Sequence, residues 1–296
     1  METTRERFTS VTPDLLAADP RLALVLADIT AGSFEPARMR YPGRVLNLGI
    51  REQLLVSVAA GLALAGMRPI AHTFASFLVE RPFEQIKLDL NHQNVGAVLV
   101  SAGGSYDYSG SGRTHQAPGD VALLDTLPGW TVHVPGHPDE AERQIRAAAA
   151  GDGLVYIRLS SRSTMVPLER EPGKFSVLRL GAAGTVIAVG PLADEVVEAT
   201  LGLDVTVLYA ATIRPFDGAT LRDTLRTPDV VLVEPYLAGT SAADVGRALT
   251  GIRHRVLGLG VRRAELRRYG TPAEHERAHG LDAATLRASI IGFLDA

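Results

Sequence analysis

Asn47-Leu48-Gly49-Ile50-Arg51-Glu52-Gln53 runs directly into Leu54–Met67, LLVSVAAGLALAGM. The apolar run reads as a helix that must be largely buried, and Glu52 falls in its first turn. A carboxylate there has a structural explanation, since it complements the positive helix end, worth about 0.3–1 kcal/mol. It also has a chemical one: burial at the edge of an apolar helix raises a carboxyl pKa and suits it to sharing a proton. Downstream, Pro69-Ile70-Ala71-His72-Thr73-Phe74-Ala75-Ser76-Phe77 reads as a short strand ending in two aromatics three residues apart. Then come Arg81-Pro82-Phe83-Glu84-Gln85-Ile86 and a glycine-rich loop carrying a histidine, Gly110-Ser111-Gly112-Arg113-Thr114-His115-Gln116.

Short apolar runs alternate with helical segments along nearly the whole chain. Strands are predicted near Leu22–Asp28, Pro69–Ala75, Val95–Ala102, Thr131–Pro135 and Leu154–Leu159, with helices from Glu52, around Val79–His92 and over Pro138–Ala150. Such alternation predicts a parallel sheet covered on both faces. A break rich in proline, glycine and mixed charge spans about 163–184. Beyond it, Thr185–Gly190, Val205–Ala210, Val230–Glu234 and Val256–Leu259 are predicted strands and Asp282–Asp295 a closing helix. The fold class is therefore α/β, with two parallel-sheet domains at about 1–165 and 180–296.

At 296 residues, 46% hydrophobic and 21% charged, the chain has the composition of a globular protein with room for two cores. A net charge of -3 gives no reason to expect nucleic acid or an anionic membrane as partner. Zero cysteines exclude disulfides, thiol catalysis and thiolate metal sites. The segment METTRERFTS lacks a signal peptide's apolar core, and the most apolar run is too short for the roughly 20 residues a membrane helix needs. A soluble, cytoplasmic protein is expected.

The G-I-R-E-Q, T-F-x-x-F, R-x-x-E-Q-I and T-H-Q elements resemble the transketolase family, in its order and at about its spacing. The resemblance covers the pyrimidine-binding and C-terminal domains, which implies thiamine diphosphate as cofactor. It places on Glu52 the carboxyl beside the aminopyrimidine ring, and on Phe74 and Phe77 the flat apolar slot for that ring. Asp28 and Ile50 are implied as further cofactor contacts, with Asp28 and Thr30 matching an acidic strand-end motif. His115 is implied to bind the sugar and move protons, a task suited to a group that titrates near neutral pH. Without the resemblance, the phenylalanines read equally as core, Asp28 as a turn residue, and Glu52 as a helix cap. His275 and His279 lie four apart without a third candidate ligand and read as structural, so no metal site is expected within the chain.

The departures from the family pattern bear on substrate. Ser111 stands where an acid usually reads a sugar hydroxyl, Gly103 where a phosphate-binding histidine is usual, and Gly32 where a serine is usual. Glu80 occupies a position that is often aromatic. Arg113, Arg158 and Arg162 are the remaining candidates for holding a sugar or sugar-phosphate substrate. A diphosphate and its Mg2+ normally need a Gly-Asp-Gly motif with an asparagine roughly 30 residues on. Gly151-Asp152-Gly153 has no asparagine after it and reads as a turn between helix and strand. The resemblance thus covers only the second half of a full transketolase. It implies a split enzyme whose N-terminal partner subunit brings the diphosphate site, in an α2β2 assembly. Two alternatives stay open: the beta subunit of a 2-oxoacid dehydrogenase, and a non-catalytic or regulatory subunit that kept the fold. The departures further imply an acceptor other than the ordinary pentose phosphates.

Overall fold

A computed structural model describes residues 2–296. Seven strands come from the region before 160 and one short later segment: β1 (Leu22–Leu26), β2 (Val45–Asn47), β3 (Arg68–Phe74), β4 (Val98–Ala102), β5 (Trp130–His133), β6 (Leu154–Arg158) and β10 (Thr212–Arg214). They form one sheet in the order β10-β5-β6-β4-β3-β1-β2, parallel throughout except at β10. A second sheet is built from β7 (Ser176–Arg179), β8 (Thr185–Val189), β9 (Thr206–Ala210), β11 (Asp229–Leu237) and β12 (Arg255–Val261), in the order β12-β11-β8-β9-β7. Only β7 runs antiparallel there.

Every residue of β1, β4, β8 and β9 is buried, as expected of parallel strands covered on both faces. The period of two assigns their side chains. Leu24, Ile70 and Val98 pack with Phe8, Leu16 and Ile145 on one face, while Val25, Ala71 and Leu99 pack with Leu55, Val56 and Ala59 on the other.

Several elements depart from the expectation. Thr4–Ala18 is a helix, closed by a Thr3/Glu6 capping box and packed through Phe8 and Leu16. The β7 strand lies inside the expected break, and β10 leaves the second half of the chain to pair with β5 at the edge of the first sheet. The helix Glu52–Leu64 is buried on one face only: Leu55, Val56, Ala59 and Ala60 face inward, whereas Leu54 is 42% and Leu64 63% exposed. The helical stretch before His92 is wound largely as π-helix, at Ser76–Glu80 and Ile86–His92, a geometry frequent at functional sites. No helix among the described residues is long and apolar enough to cross a membrane.

The buried His72 and the half-buried His133 give the fold an acid-sensitive component. Burial pushes His72 down to about 3 and His133 down to about 4. An unfolded chain takes up a proton at each imidazole below about pH 6.5, whereas the folded chain does not, so stability is lost as pH falls from 6.5 toward those values. Glu234, pushed up to about 7 by burial, works in the opposite direction by binding its proton earlier when folded. The comparison that isolates the histidine is between the chain and His72→Gln. Its unfolding free energy from urea titration should fall less steeply between pH 6.5 and 4.5, by up to about 1.4 kcal/mol per pH unit, and parallel slopes would refute the assignment.

Candidate active site

In the first sheet, β2 and β3 flank β1 on opposite sides, so the order of strands reverses there and the loops leaving their C-terminal ends open a crevice. The loop after β1 carries Asp28 and Thr30. The loop after β2 leads to Glu52, the turn after β3 carries Phe74 and Phe77, and the loop after β4 carries Tyr108 and His115. Four segments distant in sequence thus meet because parallel strands all end on one side.

Four rings form the centre of the crevice. Phe74 lies edge-on to Phe77 at 6.0 Å between centroids, to Tyr108 at 4.6 Å and to His115 at 5.2 Å, and Phe77 meets His115 at 4.9 Å. Phe74, Phe77 and His115 are only half-buried, unlike the closed core beneath them. Glu52 is 2% exposed, and its carboxylate accepts a hydrogen bond from Arg81 Nη1 at 2.6 Å. The desolvation expected of Glu52 is present but comes with a cationic partner. The Arg81 guanidinium also sits 4.0 Å from the centre of the Phe77 ring, so it joins the acid to the aromatic cluster. Glu80 itself is exposed.

Behind Tyr108 runs a second polar chain. His72 Nδ1 donates to the Val100 carbonyl at 2.8 Å, which leaves Nε2 to accept from the Thr30 hydroxyl at 2.9 Å. Thr30 in turn accepts from Arg5 Nη2 at 2.8 Å, and Arg5 Nη1 donates to the Tyr108 hydroxyl. Arg5, Thr30, Ser33, Gly103 and Tyr108 line a cavity of about 300 Å3 beside the rings. Neither Arg5 nor Tyr108 follows from a local motif. The Thr4–Ala18 helix that carries Arg5 could have been found from Thr3-x-x-Glu6.

Residues 2–166 match the family described as transketolase, pyrimidine binding domain. The chain belongs to the transketolase family. It is 53% identical over 291 residues to an uncharacterized 33.6 kDa protein in the fasciation locus of Rhodococcoides fascians, a match covering 97% of this chain and 93% of that one. It is 30% identical over 241 residues to the 6-deoxy-6-sulfo-D-fructose transketolase subunit SqwH of Clostridium sp. strain MSTE9, covering 78% and 75% respectively. Among solved structures it is similar to a split gene transketolase described as an inactive beta4 tetramer, with a TM-score of 0.85 and 28% identity over 100% of this chain and 99% of that one.

Against the transketolase pattern, the structure brings Glu52, Phe74, Phe77 and His115 into one continuous patch. Asp28 stands exposed at the rim, tied to Asn47 through its backbone N–H at 3.0 Å and its carboxylate at 3.1 Å. Ile50 is 70% and Leu54 42% exposed. Ser111 is exposed on a 3-10 turn. Arg113 spends its Nε on Glu265 at 3.1 Å and its Nη1 on the Gln116 carbonyl.

Two of the arginines expected at substrate are paired within the chain. Arg158 is fully buried, with Nε on Asp120 at 2.7 Å and Nη2 on Ser105 and the Ala117 carbonyl, so it braces the loop after β4 from inside. Arg162 bridges Glu195 and Glu276, which leaves its guanidinium engaged by two carboxylates of the second half of the chain. Gly103 also has a physical reason. Its φ of +69° favours glycine, and a Cβ there would lie 2.4 Å from the Tyr108 ring, so Tyr108 occupies the space a side chain at 103 would need. Nothing lies within 4 Å of a Cβ at Gly32.

Proposed function

We propose that this chain is the pyrimidine-binding subunit of a split, thiamine diphosphate-dependent transketolase that moves a two-carbon ketol unit between sugars. The observation carrying the proposal is the juxtaposition of a buried, arginine-paired carboxylate with a half-open cluster of Phe74, Phe77, Tyr108 and His115. A flat heteroaromatic ring needs apolar walls with a carboxyl at one edge, and that donor set is present. When bound, the cofactor supplies a nucleophilic carbon that takes up the ketol unit. Glu52 would hold and return a proton at the ring edge, in a pocket where Arg81 fixes its orientation. His115, with Nδ1 3.0 Å from the Thr114 hydroxyl, keeps Nε2 for a substrate hydroxyl.

A separate N-terminal subunit would bring the diphosphate and Mg2+ ligands in an α2β2 assembly. Ile50 and Leu54, apolar and exposed beside Glu52, suit a surface met by another chain. The SqwH subunit and the split gene transketolase among the similar proteins bear transketolase descriptions, which does not favour a 2-oxoacid dehydrogenase or a regulatory role. The acceptor would differ from ordinary pentose phosphates: Gly103 and Gly32 offer no anion contact, Arg158 and Arg162 are engaged elsewhere, and Arg5 is the cation facing the cavity beside the rings. Calorimetric titration of the purified chain with thiamine diphosphate and Mg2+ tests the split. Weak or no binding is expected, and sub-micromolar binding with turnover would refute it.

A further inference from the structure

The loop joining β4 to the Asp120–Leu124 helix, residues 103–119, carries His115 yet has little regular structure of its own. It holds two 3-10 turns, Ser109–Ser111 and Arg113–His115, and one isolated bridge between Ser105 and Ala117. Arg158, Ser160 and Arg5 of the first half hold Ser105, Asp107 and Tyr108, and the second half of the chain adds a further set of anchors. The Tyr106 ring lies flat against His275, 4.2 Å between centroids at an interplanar angle of 11°, and against His279 at 5.1 Å and 19°. His279 Nδ1 accepts from the Arg262 backbone N–H at 3.2 Å, so Nε2 carries the proton and donates to the Tyr106 hydroxyl at 3.0 Å. Further along, Ser109 Oγ donates to the Gly270 carbonyl at 2.9 Å, and Arg113 pairs with Glu265. At Gly112, with φ of +80°, a Cβ would come within 2.8 Å of the Tyr269 ring. The loop's far end is tied where the Leu237 N–H donates to the Pro118 carbonyl at 2.9 Å.

These anchors bracket His115 on both sides in sequence, while its ring rests on Phe74 and Phe77. We propose that Tyr106, held between His275 and His279, is a positioning residue for His115, so that the C-terminal part of the chain helps set the geometry of the substrate loop although the aromatic cluster belongs entirely to the first half. The inference rests on the catalytic reading of His115. Stacked ring pairs of this kind favour one conformation of a loop that has no ladder of its own. A misplacement of about 1 Å at a reacting group can cost on the order of 100-fold in rate.

The test uses the chain assembled with its diphosphate-binding partner, with hydroxypyruvate as ketol donor and glycolaldehyde as phosphate-free acceptor. Tyr106→Ala should lower kcat by roughly 10–100-fold with thiamine diphosphate affinity unchanged within about twofold, and Tyr106→Phe, which keeps the stack, should restore most of the rate. In hydrogen exchange of the full chain, amides of 107–116 should exchange faster in Tyr106→Ala while those of β8 do not change. Tyr269→Ala alters a residue that is 67% exposed, so folding is not at stake, and it should loosen the same loop amides. Unchanged kcat in a folded Tyr106→Ala, failure of Tyr106→Phe to rescue, or unaltered loop exchange in Tyr269→Ala would each overturn the proposal. If the wild-type assembly transfers no ketol unit, the transketolase reading falls, whereas the exchange measurements still decide whether the clasp orders the loop.

Discussion

Glu52→Gln is expected to abolish turnover of the assembled enzyme, lowering kcat by about 10²–10⁴-fold, the scale of a lost acid–base group, while the chain stays folded. The substitution keeps size and hydrogen bonding but removes the exchangeable proton. Arg81 loses its counter-charge, yet its side chain is 36% exposed and stays in contact with water and with the Phe77 ring, so the fold has little to lose. Steady-state rates of the reconstituted complex decide the matter. A rate within twofold of wild type would mean that Glu52 only starts its helix and pairs with Arg81.

The largest effect on stability is expected at Asp120. Its carboxylate takes hydrogen bonds from Arg158 Nε and the Tyr156 hydroxyl, both at 2.7 Å, and the Tyr156 oxygen lies 2.8 Å from Ser101 Oγ. All three side chains are fully buried or nearly so. Removing one partner of a buried ion pair leaves the other charge unsolvated, which costs about 3–5 kcal/mol. Asp120→Ala should therefore lower the unfolding free energy from denaturant titration by that amount. Exchanging the whole pair for apolar residues of similar volume should cost much less. A loss under about 1 kcal/mol in Asp120→Ala would show that water reaches Arg158.

Legibility in the sequence followed the range of the interactions involved. The buried parallel strands were readable because continuous apolar runs such as Leu22–Leu26 and Val98–Ala102 leave few other options. The closing helix was readable from its Asp282 cap. Short edge strands were not: Val45–Asn47 and Thr212–Arg214 are defined by the partner they find across the sheet, not by their own three residues. At the site, Glu52, Phe74, Phe77 and His115 could be named from motifs, but what each touches could not. Arg81 lies in a recognised motif, and only the fold reveals that it bridges Glu52 and Phe77. Arg158 and Arg162 illustrate the converse. An arginine near a site looks the same in sequence whether it awaits an anion or is already paired with Asp120, Glu195 or Glu276. Tyr106 carried no local signal, since its partners are more than 160 residues away.

The central claim, that this chain supplies half of a shared site, is tested most directly by ketol transfer in reconstitution. Turnover with thiamine diphosphate, Mg2+, hydroxypyruvate and glycolaldehyde is to be measured for the chain alone, for a diphosphate-binding transketolase subunit alone, and for the two together. Turnover confined to the mixture, and lost again with Glu52→Gln, is the expected result; equal turnover by the chain alone, or an inactive mixture that nonetheless forms a stable complex with bound cofactor, would contradict it.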